Sequence, residues 1–225
     1  VPGERTSFPL INTSKGTNFE STWLNCESLT SFPAIDTSNA GNISYAWHGC
    51  KLLDNITASG ATTSFPVIDV SKVTTAAYTW FGCSAMTNFP LLDFPEVTNL
   101  GLTWQNCGGL TSFPKITIPK CNSFYQTWNG CSSLAFFPEI DTPNVASFYA
   151  TWYACNSWTS FPKLNFSKGN DFRRAWWTNT KLTDFPAGAF DTTGVLRADA
   201  FATTFTKCAL TAQSIENILV SLDTN

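Results

Sequence analysis

His48 is the sole histidine in the chain. An imidazole-based hydrolase or a histidine zinc site would have to be built on that one side chain. Cysteine and aspartate offer other chemistry, and both recur at fixed spacing. Cys26, Cys50, Cys83, Cys107, Cys131, Cys155 and Cys208 form a column with one residue per interval, broken at Asn179. A zinc site calls for paired CxxC clusters instead. Parallel side chains about 4.8 Å apart are also too far apart for a disulfide, whose Cβ atoms sit about 3.8 Å from each other. Free thiols acting as small hydrophobes are therefore expected. Cys121 shares a column with Val73, Val97 and Val145 and reads the same way. Asp36, Asp69, Asp93, Asp141 and Asp191 share one turn position, with Asn12 and Asn165 beside them in pattern and Thr117 interrupting the row. One acid per interval makes neither a calcium cage nor the carboxylate pair of a glycosidase. Turn capping is the expected role. The sequence predicts no catalytic set, no metal site and no cofactor.

Recognition chemistry is better represented. Thr6, Thr30, Thr63, Thr87, Thr111, Thr159 and Thr183 form a column broken by Ala135, and such hydroxyls would face outward on a flat ladder. The position after each Phe-Pro varies through Leu10, Ala34, Val67, Leu91, Lys115, Glu139, Lys163 and Ala187. We take Thr30, Thr63, Thr87, Thr111, Thr159, Lys115, Glu139 and Lys163 as a candidate binding face. Trp177 joins it, because it stands outside the main tryptophan column. An ice-binding role for the threonine ladder is a remote alternative.

These residues need a scaffold, and a repeat supplies it. Phe-Pro recurs with Pro at 9, 33, 66, 90, 114, 138, 162 and 186. Every step is 24 residues except one of 33, whose extra residues, about Asp54 to Thr62, read as an inserted loop. Trp23, Trp47, Trp80, Trp104, Trp128, Trp152 and Trp176 form a second column, continued by Phe205. A third runs through Leu29, Leu53, Met86, Leu110, Leu134, Trp158, Leu182 and Leu210. A unit this short must bury its apolar face against its neighbours. Residues 1–210 are expected to form a right-handed repeat solenoid of about eight coils, about 40 Å long. Each coil would hold a short strand ended by Pro and a short helical turn such as Ile43 to Cys50. Trp, Phe, Leu and Ile columns would fill the core.

Residues 211–225 depart from the repeat. Ile215, Ile218, Leu219 and Leu222 fall at helical spacing and predict a capping helix. Val1 to Arg5 is too short and polar to cover the first coil, so Phe8 and Trp23 are candidate docking residues for another segment, protein or copy. The chain opens on Val1 and shows no signal peptide, which predicts a processed product or a piece of a longer chain.

Composition excludes further classes. Hydrophobic residues make up 43% and charged residues 13%, with a net charge of −3. That balance fits a folded core and lacks the basic footprint of a nucleic-acid binder. No apolar run approaches the length of a membrane helix.

The unit Trp128-x-x-Cys131-Ser132-Ser133-Leu134-x-x-Phe137-Pro138-x-Ile140-Asp141-Thr142 resembles the BspA-like leucine-rich repeat. It is also similar to repeats of mycoplasma surface lipoproteins. Ser28-Leu29-Thr30-Ser31 and Asp36-Thr37-Ser38-Asn39 match the two halves of that pattern, and the likeness covers about residues 6–210. Trp replaces the family Phe, and the stretch around Pro is shortened. The closing segment Leu210 to Leu219 resembles the end of similar repeats in bacteriophage proteins. The resemblance implies a leucine-rich-repeat fold and a non-enzymatic, extracellular binding or structural module. A virion-associated adhesin, fibre or decoration protein is the first form it implies, and a bacterial cell-surface adhesin the second. A glycan-active enzyme is remote. The implied partners are a host-surface receptor or glycan, other virion or surface proteins, or a second copy through the N-terminal coil.

Overall fold

The computed structural model describes residues 7–54 and 65–223. Much of the inserted loop, together with Thr6 and Thr63, lies outside them. The expected strand-plus-helix coils are absent. Among the described residues there is one α-helix, α1 (Ala212–Asp223), and no sheet. Parallel pairing is limited to isolated bridges such as Asn99↔Ser123 and Ser123↔Ser147. The chain is not a leucine-rich-repeat solenoid of strands and helical turns. The strand and turn implied by the resemblance are not formed.

A run of overlapping turns takes their place. In the unit around Trp47, Ala46, His48 and Cys50 donate their N–H groups to Ile43, Tyr45 and Trp47 at 3.1–3.2 Å. The intervening N–H groups of Tyr45, Trp47 and Gly49 point to the next unit and reach the carbonyls of Ala77, Thr79 and Phe81 at 2.7–3.1 Å. A helix would keep every one of these bonds within its own segment. The alternation follows from left-handed residues four apart, at Tyr45 (φ 57°) and Gly49 (φ 73°). The same pair recurs at Leu102 and Asn106, at Ala150 and Ala154, and at Arg174 and Thr178. A left-handed residue cannot continue a right-handed helix.

The repeat period survives this change. Asn42↔Thr75 bridges across the long step, and Trp47 stacks on Trp80 at 5.7 Å, as Trp80 does on Trp104 at 5.8 Å. Indole stacking runs from Trp23 to Trp176, with rings tilted by 2–19°. A Phe ring stands edge-on to each indole, as Phe89 and Phe113 do to Trp104 at 5.1 and 4.8 Å. The tryptophans from Trp47 to Trp176 are fully buried, and so is Trp158 in the leucine column.

Polar groups lock the stack. Cys83, Cys107, Cys131 and Cys155 donate their thiols to the tryptophan carbonyl of the preceding unit at 3.0–3.2 Å. All eight cysteines are free. Burial pushes the thiols of Cys50, Cys107 and Cys121 up to about 12, so they hold no thiolate at neutral pH. Thr103, Thr127 and Thr151 are buried and donate to carbonyls of the preceding unit at 2.7–2.9 Å. In the Asp column, Asp36 and Asp69 cap their turns. Asp36 accepts the N–H and hydroxyl of Ser38 at 3.0 and 2.7 Å, which lowers its pKa. Asp93 and Asp141 instead accept from Thr117 and Asn165 of the next unit at 2.8 and 3.4 Å.

An ion cluster closes the edge near the C-terminal end. Asp171, with 9% side-chain exposure, takes Arg173 at 2.8 Å and Arg197 at 3.1 Å. Burial works to raise its pKa, but the hydrogen bonds and charges of Arg173 and Arg197 outweigh it and hold the carboxyl below its ordinary value. A depressed folded pKa contributes stability above the unfolded value of about 3.9. That stability is lost as pH falls through the folded pKa. Asp171→Asn is expected to cost about 2 kcal/mol at pH 7. In urea melts across pH, the gap to wild type should narrow as the pH falls below the unfolded value and close once it has passed the depressed folded pKa. A pH-independent gap would assign the loss to packing.

Candidate functional site

The repeat brings one cleft together from side chains spread along the sequence. Gln126, Asn129, Tyr149, Ala150, Tyr153, Arg174 and Trp177 line a hollow of about 310 Å³ on the outer side of the turns. Gln126 and Asn129 come from one unit, Tyr149 to Tyr153 from the next, and Arg174 and Trp177 from the third. Ala150 and Arg174 are left-handed, at φ 49° and 58°.

Aromatic faces and planar polar groups dominate the cleft. Tyr153 meets Trp177 edge-on at 5.3 Å. The Arg174 guanidinium lies over the Trp177 ring at 4.7 Å, and that of Arg173 over Tyr149 at 5.2 Å. Tyr149 stacks on Tyr125 at 5.2 Å, and Tyr125 is exposed. Gln126 Oε1 accepts the amides of Gln105 and Asn129 at 3.1 and 3.3 Å. Gln105 Oε1 and the Trp177 indole N–H are left without a partner. Both atoms are buried, like the unpaired indole N–H groups of the stacked tryptophans. The polar groups the cleft itself offers are therefore the Gln126 and Asn129 amides and the Arg174 guanidinium. These beside aromatic faces suit a ligand that combines hydroxyls with apolar C–H faces. The lining contains no carboxylate and no histidine. Among the described residues, no group of three His, Cys, Asp or Glu side chains is placed to hold a metal ion.

The other candidate residues lie elsewhere. Lys115, Glu139 and Lys163 are exposed and Thr30 and Thr87 half-buried, while Thr111 and Thr159 are exposed. None of them lines the cleft. Two of the threonine hydroxyls are engaged within the stack: Thr111 donates to the Thr87 carbonyl at 3.2 Å, and Thr87 to Asp54 at 3.0 Å. Thr63 lies outside the described residues. Of the docking pair, Trp23 is buried, stacked between Phe19 at 5.9 Å and Trp47 at 5.0 Å. Phe8 is half-buried and borders an open hollow with Pro9 and Asn25 to Leu29. His48 stacks on Phe81 at 4.6 Å, and burial lowers its pKa.

Sequence reasoning singled out Trp177 and missed Gln126, Asn129, Tyr149, Tyr153 and Arg174. Their signal is positional, since Gln126, Ala150 and Arg174 share one column and Asn129, Tyr153 and Trp177 another.

The comparisons add no relative: no protein-family model, no curated protein and no solved structure matches this chain. Among the described residues no helix is long and apolar enough to cross a membrane.

Proposed function

We propose that the chain is a non-catalytic binding module whose partner is a saccharide, held in the cleft of Tyr149, Tyr153, Arg174 and Trp177 and displayed outside the cell. The observation that carries this is the conjunction of the aromatic rings of Tyr149, Tyr153 and Trp177 with the Arg174 guanidinium and the Gln126 and Asn129 amides in one open hollow. Aromatic rings take the C–H face of a sugar, and amides and guanidinium take its hydroxyls. Glycosidic cleavage needs a carboxylate pair, and the lining offers none, which favours binding over hydrolysis. Six of the eight free thiols are buried and so shielded from oxidation, while Cys26 is exposed. A virion, fibre or adhesin role rests on the sequence resemblance alone, and the leucine-rich-repeat fold behind it is not formed.

The test is a glycan array followed by calorimetry on the best binder. Trp177→Ala should weaken affinity by tenfold or more, since stacking contributes about 1.4 kcal/mol. Lys163→Ala, away from the cleft, should leave it unchanged. No glycan above background, or equal affinity in Trp177→Ala, contradicts the proposal.

A further inference from the structure

The hydrogen-bond row that joins neighbouring units has a direction, and it leaves two unmatched edges. At the first joint, Phe19, Ser21, Trp23 and Asn25 donate N–H groups to the carbonyls of Asn42, Ser44, Ala46 and His48 at 2.7–3.0 Å. At the last joint, Phe172, Arg174, Trp176 and Thr178 donate to Ala200, Ala202, Thr204 and Thr206 at 2.8–3.2 Å. The aligned carbonyls of Asn18, Glu20, Thr22 and Leu24 accept no hydrogen bond from the described residues. The aligned N–H groups of Phe201, Thr203, Phe205 and Lys207 donate none. Among the described residues, the row therefore leaves acceptors on the first unit and donors on the last, in the register used between the units.

The helix α1 stands where the next unit would begin. Thr211 N–H bonds the Thr183 carbonyl at 3.0 Å, continuing the column in which Thr183 bonds Thr159 at 2.9 Å. Beyond that point the chain turns into α1 instead of another Phe-Pro segment. At two joints inside the stack the N–H of such a Phe goes to the unit ahead: Phe8 to the Ser31 carbonyl at 3.4 Å and Phe161 to that of Asp184 at 3.1 Å. Phe185 instead donates to the Ser214 hydroxyl at 2.9 Å. By register, Ser214 takes the place of a Ser7 carbonyl from a second molecule. The seat of α1 is light, because only Ser214, Ile218 and Ser221 are buried. A helix of this length is marginal in isolation. Ile215, Leu219 and Val220 remain exposed on it, as do Leu10, Ile11 and Leu24 at the opposite end.

We infer that α1 is a displaceable cap, and that a second copy of this chain is the partner whose first unit, Ser7 to Asn25, takes its place on Phe185 and Phe205, joining copies head to tail. Such a contact does not close on itself, so repetition extends it into a filament. While α1 is seated, it and the incoming Ser7–Pro9 segment compete for one site, and the chain stays monomeric.

The test is sedimentation of the full chain over a concentration series, with near-ultraviolet circular dichroism reporting the indole stack. Wild type should sediment as one copy of 24.7 kDa. Ile218→Asp unseats α1 and should raise the association constant at least tenfold, giving species of two and more copies. Adding Phe205→Pro removes one of the unmatched N–H groups and should reverse that gain. Should Ile218→Asp lose the indole signal, the Ser214→Ala/Asn217→Ala pair removes the α1 bonds to Thr183 and Phe185 and carries the same expectation. A folded, uncapped variant that stays monomeric overturns the inference. So does association unaffected by Phe205→Pro, or wild type that associates as tightly as the variants.

Discussion

Trp104→Ala is expected to cost about 3–5 kcal/mol, the range for removing a fully buried large aromatic. Trp104 has no exposed surface and lies between Trp80 at 5.8 Å and Trp128 at 5.4 Å. Phe89, Phe94 and Phe113 pack edge-on against it. Its neighbours cannot close the gap, because each is fixed by its own turns and by the units on either side. Stability in a stacked array is carried by nearest-neighbour contacts, so a break in the middle separates the two halves. A domain of this size has about 5–15 kcal/mol in all. Urea melts should show either a large midpoint shift or two separate transitions. Trp104→Phe keeps a ring in the stack and should lose less than half as much. A loss below about 1 kcal/mol in Trp104→Ala would contradict the stacking account.

The second large effect comes from backbone approach. A Cβ at Gly109 would lie 2.6 Å from the Ser84 carbonyl oxygen and 3.0 Å from that of Met86. Both are backbone atoms of the preceding unit, so neither can swing aside like a side chain. Gly109→Ala must push the units apart and is expected to cost about 2 kcal/mol. Its neighbour is the internal control. A Cβ at Gly108 meets nothing closer than 3.6 Å, so Gly108→Ala should change stability by less than about 0.5 kcal/mol. Equal effects at the two sites would show that the unit spacing relaxes freely.

Much of this packing was legible in the sequence, because the period fixes which residues share a column whatever the backbone does. The Phe, Trp, Leu and Cys columns are buried as their alignment implied, apart from Cys26 and the half-buried residues at the two ends. The backbone between them was misread for a physical reason. Ile43, Trp47 and Cys50 have helical spacing, yet a run of turns with left-handed residues four apart points the same positions inward. The clue was the column of Asn25, Gly49, Gly82, Asn106 and Gly130, residue types that tolerate the left-handed region. It is obscured because Tyr, Leu, Gln, Ala and Arg fill the companion column. The cleft was legible only at Trp177, since its other members face outward, where composition varies and a single sequence gives no reason to choose among them.

The most direct test of the account uses the indole N–H resonances of the nine tryptophans. Eight belong to the buried stack or to Trp158, and one, Trp177, lines the cleft. Titration with the oligosaccharide chosen by the array should move the Trp177 signal in a saturable way and leave those of Trp80, Trp104 and Trp128 in place. The Trp177→Ala variant should show no saturable shift. A bound saccharide that leaves the Trp177 signal unmoved would contradict the assignment of this cleft as the binding site.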